Sequence, residues 1–339
     1  MVTILLQNIG SMIVGFEALF KCPPDVLVDT SGASFIYPLF NLLSASKVVS
    51  YTHYPTVSTD MLNLVAGNVA NYNNRAFIAR NPLLSKLKLY YYTAFAFIYK
   101  MTGKCADVIM ANSSWTRNHL VDIWNTSVTT VYPPCNTSNL TKLPLTNRDP
   151  NLIISMAQFR PEKNHKTQIE AFAGLLKRLR ENGVNTTPKM NVIGSCRNDG
   201  DKKLVEDLKQ LCVDLKVEQH VDFKVNLPYV DMEKLLGKAS IAIHTMINEH
   251  FGISVVEFLA SGLLTLTHNS AGPKLDIISE GETGFFAEDA DSFADTLYRL
   301  VTLSAAEALS IRTKARASVD RFSERAFEEA FVRQVNGLL

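Results

Sequence analysis

The sequence predicts an α/β protein built from two doubly wound, Rossmann-like domains that face a cleft. Strand-like apolar runs alternate with amphipathic helical runs along nearly the whole chain, the pattern of parallel sheets covered by helices. The alternation breaks once, in a polar, proline-containing stretch from Tyr132 to Pro150, and restarts at Leu152. A length of 339 residues suffices for two separate cores. The first domain is expected over residues 1–135, joined by a C-terminal helix at 320–339, and the second over 136–319.

In the first half, Val26–Asp29, Lys47–His53 and Asp107–Ala111 are predicted strands. Helical patterns cover Thr56–Val65 and Leu83–Met101, and Asn112, Ser113 and Ser114 offer caps for a helix to about Ile123. Met1–Phe20 reads as a strand and a helix already inside a domain; it lacks a basic leader region and carries Glu17. Tyr132–Pro150 is the expected linker. Beyond it, strands are predicted at Leu152–Ala157, Met190–Gly194, Val221–Val225, Ser240–Thr245 and Leu263–His268. Helices are predicted at His165–Glu181, Lys202–Leu215, Gly252–Ala260 and Ser292–Leu303, with two or three more at the end.

Composition removes several classes. A net charge of +1 provides no field for nucleic acid, so any bound anion needs a local site. Five scattered cysteines without ligand spacing fit free thiols in a reducing compartment. Asn-x-Ser/Thr triplets begin at Asn112, Asn125, Asn136, Asn139 and Asn185, and are read as silent in that compartment. No run reaches the roughly 18 to 20 apolar residues of a membrane-spanning helix. No Gly-x-Gly-x-x-Gly follows a strand, which argues against a nicotinamide dehydrogenase. Around Gly194–Lys202 the glycine spacing is wrong for a P-loop.

Open α/β sheets bind ligands beyond the carboxyl ends of their strands, so the residues there carry the functional signal. After the Ser240–Thr245 strand comes Met246-Ile-Asn-Glu249-His-Phe251-Gly252-Ile253-Ser-Val-Val-Glu257. A glycine before a helix admits close backbone approach, and the free N–H groups of the first turn favour an anion. Glu257 is the one charge on an otherwise apolar helix, so it requires a polar partner: a structural ion pair or cap, or a ligand. With Glu249 it forms a Glu-x7-Glu pair suited to accepting hydrogen bonds from vicinal sugar hydroxyls.

A second segment, Ser155-Met-Ala-Gln158-Phe-Arg160-Pro-Glu-Lys163-Asn-His165, puts two cations between a strand and a helix, where they suit a diphosphate. A third, His268-Asn-Ser-Ala271-Gly272-Pro-Lys-Leu-Asp276, is a small-residue turn that lets a sugar ring approach. A fourth, Ser50-Tyr-Thr-His53-Tyr54-Pro-Thr, places His53 at a strand end in the first domain, either as a core histidine or as a site residue.

These segments, in this order, resemble those of retaining GT-B glycosyltransferases with the Glu-x7-Glu motif. Within that class, His53-Tyr-Pro-Thr-Val-Ser-Thr-Asp-Met-Leu62, Gln158-Phe-Arg-Pro-Glu-Lys-Asn-His165, Asn248-Glu-His-Phe-Gly252 and His268-Asn-Ser-Ala-Gly-Pro-Lys-Leu-Asp276 look most like one group. These are the GDP-mannose-dependent α-1,2-mannosyltransferases of dolichol-linked oligosaccharide assembly.

The resemblance implies transfer of mannose from GDP-mannose, with retention, to a dolichol-diphosphate-linked Man3GlcNAc2 or Man4GlcNAc2 acceptor at the cytosolic face of the endoplasmic reticulum membrane. By it, Glu257 holds the ribose, Glu249 the donor mannose, and Lys163 with Arg160 the diphosphate. Backbone N–H groups at Phe251, Gly252 and Ile253 assist, Gly272 admits the sugar, and His53 contacts it from the first domain. Val225, Asn226 and Leu227 line the base pocket. No metal or cofactor is expected.

Where the wider family has Gly-Arg this chain has Ala157-Gln158, which leaves Gln158 or Arg160 for the usual arginine's role. The family's first strand and glycine-rich loop fall upstream of Met1, so the first domain is expected to be truncated. A catalytically inactive nucleotide-sugar-binding or interaction subunit is the alternative. Expected partners are the membrane surface and other mannosyltransferases of the pathway; Leu83–Lys100 reads either as an aromatic and basic helix for that surface or as a buried domain helix.

Overall fold

The computed structural model describes residues 2–56 and 82–338. Of the helix expected at Thr56–Val65 only Thr56 is among these residues; the rest, with Ser58, Thr59 and Asp60, lies outside them. The chain divides into two compact units, Met1–Tyr132 with Glu328–Leu339, and Pro133–Phe327.

The first unit holds α1 (Val2–Lys21), β1 (Val26–Asp29), α2 (Tyr37–Ser44), β2 (Lys47–Thr52), α3 (Pro82–Gly103), β3 (Val108–Ala111), α4 (Ser114–Trp124) and β4 (Thr129–Thr130). The strands form a parallel sheet in the order β1-β2-β3-β4, with Val28 opposite Val49 and Val49 opposite Val108. Ser113 caps α4 through its side chain, as expected. The core gathers Phe35, Tyr37, Phe40, Val48, Phe95, Tyr99 and Trp124.

Met1–Phe20 departs from expectation: from Val2 it is one continuous helix, with no strand. The run contains no breaker before Pro23 and Pro24, which stop the helix just after Lys21. Gly15 permits its close packing, since a Cβ there would sit 3.0 Å from Ile36.

In the second unit, β5 (Asp149–Met156), α5 (His165–Glu181), β6 (Lys189–Gly194), α6 (Asp199–Asp214), β7 (Val221–Val225), α7 (Tyr229–Lys238) and β8 (Ala239–His244) come first. After them run α8 (Ile253–Ser261), β9 (Leu264–His268), β10 (Phe285–Ala287), α9 (Ala290–Val301), α10 (Ala305–Ala317) and α11 (Glu324–Val335), the last crossing into the first unit. The sheet is wholly parallel, ordered β10-β9-β8-β5-β6-β7. The chain therefore winds outward from β5 to β7, returns to β8 on the other side of β5, and winds outward again. The reversal between β5 and β8 is a topological switch point. The strands are apolar because helices cover both faces, and β8 is buried at every position.

Two elements of this unit were not foreseen. Helix α7 has one buried residue, Leu236, so its sequence shows no apolar stripe. Strand β10 is three residues long, too short for an alternating pattern. The expected linker is also different. From Pro133 onward it packs into the second unit, where Leu140 is fully buried and the Cys135 N–H donates to the Phe322 carbonyl at 2.9 Å. That bond ties both strands of the crossover into this unit, so the boundaries fall after Tyr132 and Phe327, not after Cys135 and Val319.

Candidate active site at the switch point of the second unit

The loops leaving β5 and β8 flank the switch point, and each brings one charged side chain to it. Lys163 ends a 3-10 turn, Pro161–Lys163, and Glu249 lies in the loop before α8. Lys163 Nζ donates to Glu249 Oε2 at 2.6 Å. The two loops are also stitched by Thr245, whose hydroxyl donates to the carbonyls of Lys163 at 3.2 Å and Asn164 at 2.9 Å. The Glu249 backbone is fixed from a third loop: its carbonyl accepts from Gly272 N–H at 2.9 Å. Beside it, Ser270 Oγ accepts from Asn248 N–H at 2.9 Å and contacts His268 Nδ1 at 2.8 Å.

Glu249 has a second partner absent from the sequence expectations. His244, the last residue of β8 and 2% exposed, places Nε2 at 3.1 Å from Glu249 Oε2. Burial alone would push the Glu249 carboxyl up, but the His244 and Lys163 contacts outweigh it and hold the group at about 2. Glu249 is thus ionised throughout the neutral range and is a fixed acceptor, not a proton donor. The only sequence signal for His244 was a histidine at the end of a wholly apolar strand. We predict that His244→Leu lowers turnover about tenfold with a smaller change in donor KM, while His244→Gln, which keeps a donor N–H, recovers most of it. Equal losses in both variants would show that His244 only fills space.

Glu257 lies in the second turn of α8, among Val255, Val256, Phe258 and Leu259, all fully buried. Neither an ion pair nor a hydrogen bond engages its carboxylate among the described residues, so a structural ion pair or cap is not what holds it. Burial pushes it up to about 7. A half-buried carboxylate with no partner among the described residues costs free energy that a hydrogen-bond donor would recover.

Helix α8 begins at Gly252, whose φ of +110° suits glycine and which brings no side-chain cap. A first turn without a side-chain cap is one that favours an anion. Phe251 is buried against Phe322, with ring centroids 5.4 Å apart. At Gly272 a Cβ would stand 2.5 Å from the His250 carbonyl, so only glycine lets this turn reach the Glu249 loop.

Arg160 lies on the same β5 loop, but its guanidinium faces Glu162 at 3.6 Å and it does not join Lys163 and Glu249. Gln158 is exposed. At the ends of β6 and β7, Asn226 (φ +54°) donates its N–H to the Gly194 carbonyl at 2.8 Å and accepts from Cys196 N–H at 3.1 Å. Val225 is 41% exposed there and Leu227 half-buried, an open apolar and amide ledge. His53 belongs to the first unit, exposed at the end of β2 with its ring edge-on to Tyr51 at 5.0 Å. Among the described residues no three metal-ligating side chains come together.

A Rossmann-like unit with carboxylates and a lysine at its switch point, preceded by a second parallel α/β unit, defines a glycosyltransferase of the GT-B class. Solved structures agree on the fold: HepE of Anabaena in complex with UDP superposes with a TM-score of 0.72 at 14% identity, over 95% of this chain and 82% of that one. Sucrose-phosphate synthase from Thermosynechococcus elongatus gives 0.70 at 15%, over 96% and 77%.

Residues 1–124 match the family described as ALG11 mannosyltransferase N-terminus, and 139–318 match Glycosyl transferases group 1. The human GDP-Man:Man(3)GlcNAc(2)-PP-Dol alpha-1,2-mannosyltransferase is 48% identical over 99% of this chain and 70% of its own length. The Mus musculus protein of that name is 46% identical over the same shares, and the Dictyostelium discoideum one 39% over 99% and 68%. The chain belongs to the group 1 glycosyl transferases and, among them, to this α-1,2-mannosyltransferase family.

Proposed function

We propose that the chain transfers mannose from GDP-mannose to the 2-hydroxyl of a mannose on a dolichol-diphosphate-linked oligosaccharide, with retention at the transferred carbon. The observation that carries this is Glu257, an apolar helix's unpartnered carboxylate beside the Lys163–Glu249 pair. Relatives named for this reaction support it. Glu257 accepts hydrogen bonds from the ribose hydroxyls. Glu249, held ionised, accepts from hydroxyls of the donor mannose.

In the reaction the bond between mannosyl C1 and the diphosphate oxygen breaks, and GDP leaves with its electron pair. The acceptor oxygen bonds to C1 on the same face and gives its proton to the departing diphosphate oxygen. Lys163, the open first turn of α8 and, from one side, Arg160 balance the charge that grows on the leaving oxygen. Gln158 is too exposed for that work. On this reading the charge is balanced by the protein without a metal, so chelation by EDTA leaves the rate unchanged. The base lies on Val225, Asn226 and Leu227, and His53 is the first unit's candidate for a contact to the transferred sugar.

The acceptor carries a long lipid, and we place the protein at the cytosolic face of the endoplasmic reticulum membrane, beside other mannosyltransferases that share its substrate. No described helix is long and apolar enough to cross a membrane. The first unit nevertheless exposes Ile13 (65%) and Phe20 (75%) on α1, and Phe97 (63%) on α3, large apolar side chains suited to a bilayer interface. Competition for the donor tests the reading. GDP is expected to displace labelled GDP-mannose from the purified chain while UDP does not. Equal displacement by UDP, or by UDP-sugars, would overturn the assigned donor.

A further inference from the structure

At the opposite edge of the second unit's sheet, under the amino ends of β8 and β9, three arginines lie together without a counterion. Arg148 and Arg312 are 9% and 8% exposed. Arg148 donates from Nε to the Pro144 carbonyl at 2.8 Å and through Nη1 to those of Leu236 at 2.8 Å and Ala239 at 2.6 Å. Its Nη2 reaches the Ser261 carbonyl. Arg316 Nε donates to the Ala260 carbonyl at 2.9 Å. Arg148, buried, and Arg316, half-buried with its Nη2 lacking a partner among the described residues, therefore cap the carbonyl ends of α7 and α8.

Arg312 is different. It reaches Ser240 Oγ at 3.0 Å, but the Ser240 and Leu145 carbonyls only at 3.5 Å, and its Nε has no acceptor. No carboxylate pairs with any of the three among the described residues. Burial lowers the pKa of all three, and for Arg148, brought to about 10, the neighbouring Arg312 and Arg316 add to the effect. A buried cation cluster without an anion is electrostatically incomplete.

Arg312 also lines a cavity of about 510 Å3. Its lining combines Thr146, Asn147 and Ser240 with Leu300, Leu303 and Leu309. A cation and aliphatic side chains in one lining select a ligand with an anionic head and an apolar chain. We propose that this cavity is a second binding site, separate from the switch point, for an anionic amphiphile. A carboxylate or phosphate monoester pairs with Arg312 and its alkyl chain lies along the leucines.

Isothermal titration of the full chain tests this with four probes: decanoate, decyl phosphate, decanol and inorganic phosphate. Decanoate and decyl phosphate are expected to bind at one site, with decanol and inorganic phosphate each at least tenfold weaker. Arg312→Gln should weaken both anionic amphiphiles at least tenfold, and Arg312→Lys less than threefold. Leu309 is 37% exposed and precedes Arg312 by one helical turn on α10, so Leu309→Asp adds a charge that repels the anionic head and offers Arg312 a competing carboxylate. It should also weaken both at least tenfold, which keeps the test available if Arg312→Gln does not fold. Equal binding of decanol, or unchanged binding in the Leu309→Asp and Arg312→Gln variants, would overturn the site. Inorganic phosphate binding as tightly as decyl phosphate would overturn the apolar half of the assignment and mark the source as a free anion.

Discussion

Replacing Lys163 by methionine should lower mannose transfer by about 10³-fold, the largest effect of any single substitution in the second unit. Two consequences of the 2.6 Å Lys163–Glu249 contact combine in it. Among the described residues the ammonium is the cation in contact with Glu249, while Arg160 is turned to Glu162 and assists only from one side. Its removal leaves the leaving diphosphate to the first turn of α8 and that weaker help, and loss of one such charge stabiliser typically lowers turnover by about 10²–10³-fold. Methionine also leaves Glu249 with His244 alone, so burial raises its carboxyl pKa and weakens its hold on the donor sugar. Steady-state rates on folded protein, checked by circular dichroism, provide the test. A loss below tenfold would mean that another group carries the leaving charge.

Glu257→Ala is expected to weaken GDP binding by about 100-fold, as two hydrogen bonds to a charged acceptor disappear from a half-buried position. The same carboxylate predicts a pH dependence. With a pKa raised to about 7, it is mostly protonated at pH 6 and mostly ionised at pH 8. Ribose hydroxyls donate best to the ionised form, so GDP affinity should rise about tenfold between those pH values. Stability moves the other way. The favourable contribution of the protonated, buried acid is complete below its unfolded value of about 4.5. It is lost as pH rises through 7. Glu257→Gln should flatten both profiles, and at pH 8 it should melt above the wild type. A GDP affinity independent of pH in the wild type, or unchanged by alanine, would remove Glu257 from the nucleotide site.

Much of this was legible in the sequence because the second unit obeys simple periodicities. His165–Glu181 and Val221–Val225 have the predicted bounds, because an amphipathic helix and a short alternating strand each carry their own period. Glu249 and Lys163 were found because they follow strands. Their 2.6 Å pairing was not, since it depends on β5 and β8 becoming neighbours across about 90 residues, which only the sheet order reveals. His244 was missed for the same reason: on a strand buried at every position a histidine reads as core until its acceptor is known. The first twenty residues misled because a long apolar run fits strand and helix alike. Arg148 and Arg312 gave no signal at all; each reads as a surface charge until the helix ends above it are in place.

The most direct test of the account is transfer of labelled mannose from GDP-mannose by the purified chain to a synthetic lipid-diphosphate-linked Man3GlcNAc2 acceptor, with the product linkage determined by a linkage-specific mannosidase. The expected result is one and then two added residues in α-1,2 linkage, from GDP-mannose and not from UDP-sugars, and none with Lys163→Met. Binding of GDP-mannose without transfer, or a product resistant to an α-1,2-specific mannosidase, would contradict it.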